Sequence, residues 1–178
     1  SLSQLALLVQ LNEEGGERVI TELPSMVEEL GIHIAGGFAV WNEIQPDRRW
    51  TKQSWSNIVL CDLKNGGRKQ LTEEVRYYTP AISADGSRIA VVEFSETREC
   101  FLVILDSDTG KILYRFSSIG NSSILHPRWS DDGEKIVFVS HHLNGKSISV
   151  INVTSGEITN IKPESWEEVF KPIFNENF

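Results

Sequence analysis

The sequence predicts an all-β chain made of repeated four-stranded antiparallel units, and three observations carry the prediction. One turn phrase is written twice, as SADGSRIAVV (Ser83–Val92) and SDDGEKIVFV (Ser130–Val139), 47 residues apart. A spacing in the mid-forties recurs along the chain: Gly156 follows Gly110 by 46 residues, and Asp106 follows Asp62 by 44. Within each period the apolar runs are short, β-branched and bounded by Gly, Asp, Asn and Ser, which is the grammar of strands and turns and lacks a helical period. Four antiparallel strands in a repeat of about 40 to 45 residues is the blade of a β-propeller.

The elements follow in order. LALLVQL (Leu5–Leu11) and ERVITEL (Glu17–Leu23), separated by NEEGG, read as the last two strands of a preceding blade, so that residues 1–31 are outer strands and a connection. PSMVEEL (Pro24–Leu30) is the single helical candidate in that connection. Residues 32–75 form a blade in which Gly36-Gly37 supplies the first turn, and residues 79–121 form a second, with strands PAIS, RIAVVEF, FLVILDS and KILYRF. Residues 126–163 form a third, with PRWS, KIVFVSHH, SISVINV and EITNI. Residues 164–178 hold a connection, in which SWEEVF offers a helical turn, and KPIF (Lys171–Phe174) as the first strand of a next blade. Pro80–Phe94 laid on Pro127–His141 matches at six of fifteen positions. The middle strands are almost continuously apolar, as expected of strands covered on both faces. All of this is one propeller domain, an incomplete ring of about three full blades with partial blades at both ends. A ring takes about four to eight blades, so the expectation is a piece of a longer protein or an open array whose ends a partner covers.

Composition narrows the function classes. A formal net charge of -8 argues against nucleic acid or an anionic membrane surface, since phosphates are bound by clustered Lys and Arg. The basic group Asp47-Arg48-Arg49 is too short to reverse that. No apolar run approaches the roughly 18 residues of a membrane span, so membrane insertion is not expected. Cys61 and Cys100 show neither a disulfide framework nor metal-ligand spacing and read as buried free thiols. No glycine-rich phosphate loop or zinc-protease helix is present, and no cofactor is expected.

The motif Pro-x-x-Ser-x-Asp-Gly-x-x-Ile, complete at Pro80–Ile89 and Pro127–Ile136, resembles the TolB-like, WD-like repeat of bacterial envelope propellers, over residues 32–174. The resemblance implies a rigid non-catalytic scaffold, periplasmic or otherwise in the cell envelope, that binds a protein, a peptide or a glycan at the channel mouth or rim. The segments WNE, DRRW, SNIVLCDL and LTEEVRYYTPAISADG also resemble propeller parts that accompany a peptidase-like domain, which implies the alternative of a gating propeller whose catalytic residues lie outside this chain. Open blade edges allow self-association as well.

Candidate residues divide into turn formers and ligand contacts. Asp85 and Asp132 precede Gly86 and Gly133 in tight turns, where a carboxylate bonding the turn backbone explains them. Ser83 and Ser130 lack the Gly-x-Ser-x-Gly context of a nucleophile and read as turn-stabilising hydroxyls. No catalytic residue is assigned. His126 and His141 are expected to share a blade end when the Asp-Gly hairpin folds β-strand on β-strand, and with Arg48, Arg76, Tyr77 and Tyr78 they make up the candidate ligand contacts. Arg and Tyr suit a binding rim because they offer contact area with a polar tip. Two imidazoles without a third ligand do not make a metal site, and none is assigned.

Overall fold

In the computed structural model, residues 6–24, 31–46, 54–165 and 171–174 are described, and their regular structure is almost entirely β. Strands β1 (Ala6–Leu11) and β2 (Glu17–Leu23) pair as a ribbon. Three four-stranded sheets follow: β3 (His33–Ala35), β4 (Phe38–Pro46), β5 (Ser54–Asp62) and β6 (Arg68–Gln70); then β7 (Tyr77–Ile82), β8 (Arg88–Phe94), β9 (Cys100–Asp106) and β10 (Ile112–Ser117); then β11 (Ser123–Trp129), β12 (Lys135–His142), β13 (Gly145–Asn152) and β14 (Ile158–Ser165). Within each four-stranded sheet the strands pair antiparallel in chain order, and the sheets do not close into a ring. The fold is therefore a run of propeller blades. The helical candidates lie outside the described residues, except that Pro24 is irregular and Ser165 ends β14. Residues 171–174, expected as a further strand, belong to no ladder among the described residues.

The repeated phrase folds the same way twice. In each copy the serine hydroxyl accepts the backbone N–H of the residue five places on, Arg88 onto Ser83 at 3.0 Å and Lys135 onto Ser130 at 2.9 Å. Each serine hydroxyl also donates to its aspartate, Asp85 or Asp132, at 2.5 Å. Gly86 (φ +74°) and Gly133 (φ +68°) occupy the left-handed position of the turn, which a side chain disfavours. The turns joining the third strand of a blade to the fourth are also alike: Asp62, Asp106 and Asn152 each accept backbone N–H bonds from their own turn.

Three apolar cores lie between successive sheets, and period-2 alternation feeds them. On β8, Ile89 and Val91 belong to the core shared with the preceding sheet, while Ala90 and Val92 belong to the core shared with the next. On β9, Val103 and Leu105 face back and Leu102 and Ile104 face forward. The preceding sheet repeats the rule, with Val40, Ile58 and Leu60 forward and Ala39, Trp41, Val59 and Cys61 back toward the β1–β2 ribbon. Each fully buried Val, Leu or Ile contributes about 1.5–3 kcal/mol, so blade-to-blade packing dominates the stability. Arg88 adds a polar tie, donating to the Gly133 carbonyl at 2.9 Å with its guanidinium 4.7 Å from the centre of the Trp129 ring. Trp129 donates its indole N–H to the Ala81 carbonyl at 2.9 Å. The first strands sit together, β7 packing against β3, β4 and β11, whereas the fourth strand β10 is exposed along most of its length. The array thus has an inner edge built from β3, β7 and β11.

Candidate functional site

The segment Arg76–Tyr78, expected in the connection before a blade, lies largely within its first strand. Tyr77 and Tyr78 open β7, and Thr79-Pro80 forms a bulge that shifts the register between Tyr78 and Ala81. The proline and the bulge make one strand read as a loop followed by a shorter strand. Tyr77 is 5% exposed and belongs to the core between the first two four-stranded sheets. Burial, and then the nearby Glu93 carboxylate, pushes its phenol pKa up. Its backbone carbonyl accepts the buried Ser56 hydroxyl at 2.6 Å. Tyr78 is half-buried, edge-on to Phe94 with ring centres 5.7 Å apart. Arg76 is half-buried, its guanidinium 5.8 Å from the centre of the Trp55 ring. Of the three, Arg76 and Tyr78 keep surface for a ligand, while Tyr77 serves packing.

His126 and His141 are not brought together. His141 pairs with Ser123 and is exposed, whereas His126 sits in a bulge between Leu125 and Arg128 and has left the ladder. Its φ is +51°, and the antiparallel register, which sets His141 opposite Ser123 and Val139 opposite Leu125, has already carried the strand past His141 before His126 is reached. His142 makes a 3.2 Å hydrogen bond with the Ser147 hydroxyl. Among the described residues no three His, Cys, Asp or Glu side chains converge on a common point. Arg48 lies outside the described residues.

Asp85 and Asp132 sit on exposed hairpin tips, and their hydrogen bonds are those of turns. The Ser83 and Ser87 hydroxyls with the Ser87 N–H lower the Asp85 pKa to about 2. The Ser130 hydroxyl and the Glu134 N–H move Asp132 in the same direction. Both cysteines are buried free thiols. Cys100 accepts the Ile124 N–H at 3.2 Å, and burial raises its pKa, so the thiol is kept protonated. It borders a cleft of about 400 Å³ between the 95–99 turn and the 117–123 connection, which Arg98, Glu99, Ser117 and Ser123 also line.

Two residues that sequence reading did not single out complete the inner edge. Arg128 on β11 is half-buried, and its charge reaches His33 on β3. Their signal was faint: Arg128 replaces Ala81 in the aligned repeat, one of the positions where the copies differ.

Neither a protein-family model nor a curated protein sequence matches the chain. Solved structures do. A TolB structure from Acinetobacter baumannii superposes with a TM-score of 0.68 at 15% identity, over 92% of this chain and 39% of that one. A putative TolB from Agrobacterium tumefaciens gives 0.66 at 20% identity, over 86% of this chain and 55% of that one. Acylaminoacyl peptidase from Pyrococcus horikoshii gives 0.58 at 14% identity, over 79% of this chain and 26% of that one. The chain therefore spans between about a quarter and just over half of these proteins, and what it shares with them is the propeller fold.

Proposed function

We propose that this chain, whose fold is that of TolB-like propellers, is a non-catalytic recognition scaffold that binds a protein or peptide, in a bacterial envelope as the TolB likeness suggests. One observation carries the reading: three apolar cores hold successive sheets rigidly, while half-buried Arg76 and Tyr78 stand where a first strand meets its connection. Rigid elements presenting polar and aromatic side chains lower the ordering cost of binding. A glycan is a second ligand class suited to such a rim. The test is peptide selection on the immobilised chain, followed by measurement of the selected binders on Arg76→Ala and Tyr78→Ala variants. Binding reduced at least tenfold supports the rim, and unchanged binding to both folded variants removes it.

A second reading makes the chain an accessory propeller of a hydrolase, favoured by the likeness to acylaminoacyl peptidase and to a prolyl endopeptidase structure. A hydrolase motif in the sequence adjoining this chain in its gene would support that reading, and a gene that encodes no such domain would remove it. Self-association through the exposed apolar residues Leu7, Leu11 and Val19 of the first ribbon is tested by light scattering, where a stable monomer at all concentrations excludes it.

A further inference from the structure

The same left-handed backbone recurs before a proline in two successive sheets and once more past the last of them. Thr79, His126 and Lys171 have φ of +46°, +51° and +47°, and each directly precedes a proline, Pro80, Pro127 or Pro172. Left-handed backbone is uncommon for a residue with a side chain, above all for a β-branched one, and helical backbone is disfavoured before proline. Each such residue costs of order 1–3 kcal/mol and persists only where the surroundings enforce it. The bulges take Thr79 and His126 out of their ladders. The Thr79 hydroxyl is left buried without a hydrogen-bond partner among the described residues.

Positive charge gathers at the same edge of a chain whose net charge is -8. Burial, and then the charges of Arg128, Lys171 and Lys146, hold the His126 imidazole below its ordinary range. Burial and then Arg128 push His33 down to about 4. The Nδ1 of His33 accepts the Ile82 N–H at 3.2 Å, which leaves its ring proton on Nε2. Arg128 donates from Nη1 to the Pro127 carbonyl at 2.7 Å. It pairs with no carboxylate among the described residues, where the salt bridges are Arg68–Glu43 and Arg115–Glu93. A partly desolvated guanidinium without a counter-charge is costly. Among the described residues no hydrogen bond engages its Nε or Nη2, and that edge matches the two oxygens of a carboxylate.

We propose that the inner edge is a carboxylate-binding site in which Arg128 forks the two oxygens and the donors of His33 and Thr79 line the surroundings, for an acidic side chain or the C-terminus of a peptide. The proposal rests on the reading of the chain as a peptide-recognition scaffold and names the group recognised. Three successive sheets contribute to it, through His33 on β3, Thr79 on β7 and Arg128 on β11, so it exists only in the assembled array.

The test titrates the chain, followed by NMR of its histidine rings, with three capped tetrapeptides. One carries two aspartates and an amidated end, one carries two asparagines and a free carboxyl end, and one carries two asparagines and an amidated end. At least one carboxylate peptide is expected to move the His33 and His126 signals and to bind at least tenfold more tightly than the neutral one. Which of the two does so separates side chain from terminus. Arg128→Gln is expected to lose that tenfold preference, and Arg128→Lys, which keeps the charge without the fork, at least fivefold of it. A purely structural Arg128 would lower the melting temperature and leave the preference intact. The proposal is overturned if the neutral peptide moves both imidazoles equally, or if either folded Arg128 variant keeps the wild-type preference. That result, with selected peptides still depending on Arg76 and Tyr78, would sink the carboxylate site and leave the wider recognition reading standing.

Discussion

Asp85 and Gly36 show how single residues act in this fold. The Asp85 carboxylate, held at about pKa 2 by the Ser83 and Ser87 hydroxyls and the Ser87 N–H, binds fewer protons folded than unfolded, where its pKa is about 3.9. Its contribution is therefore fully present above about pH 4 and is lost as the pH falls through 2. Urea midpoints of wild type and Asp85→Asn should differ at pH 5 and converge toward pH 2, and a constant gap would contradict the linkage. Gly36 and Gly37 both have positive φ, +57° and +80°, so alanine costs each about 1–2 kcal/mol in backbone conformation. A Cβ on Gly36 would lie 2.5 Å from the Gly86 nitrogen in the next sheet, whereas one on Gly37 meets nothing within 4 Å. Gly36→Ala should thus be less stable than Gly37→Ala by a further ~1–3 kcal/mol of overpacking, as measured by urea unfolding.

Strands differ in worth according to what covers them. Ile104 on β9 is fully buried between two sheets, and Ile112 on β10 is 53% exposed. Ile104→Ala should destabilise by about 2–5 kcal/mol and Ile112→Ala by no more than about 0.5 kcal/mol. Equal losses in chemical denaturation would mean that the outer strands share the core. This ranking was legible in the residues, because RIAVVEF and FLVILDS are apolar at nearly every position while KILYRF is not. The first strands were harder to read. PAIS and PRWS mark only the second halves of β7 and β11, since the residue before each proline adopts a left-handed conformation that no local pattern announces. Tyr77 was consequently expected in a connection and His126 at a blade end, whereas Tyr77 opens β7 packed in a core and His126 lies inside β11 in a bulge.

Across the whole molecule, stability should grade along the array. The middle four-stranded sheet has a core on both faces, whereas the β1–β2 ribbon has two strands and leaves Leu7, Leu11 and Val19 exposed. In a stacked repeat each unit is held by its neighbours, so hydrogen exchange should be slowest in β8 and β9 and fastest in β1 and β2. Uniform protection would indicate that the chain opens as one unit. Periodicity and turn chemistry, which are local, were enough to establish the blades, the two Ser-Asp-Gly hairpins and the doubly covered middle strands. Which strands share the inner edge was decided by the assembled fold, because β3, β7 and β11, which carry His33, Thr79 and Arg128 at intervals of 46 and 49 residues, pack together only when the sheets stack. Sequence spacing carries periodic information along a strand, but it carries none about the bulges that turn a residue out of its ladder, and the candidate site is built at those bulges.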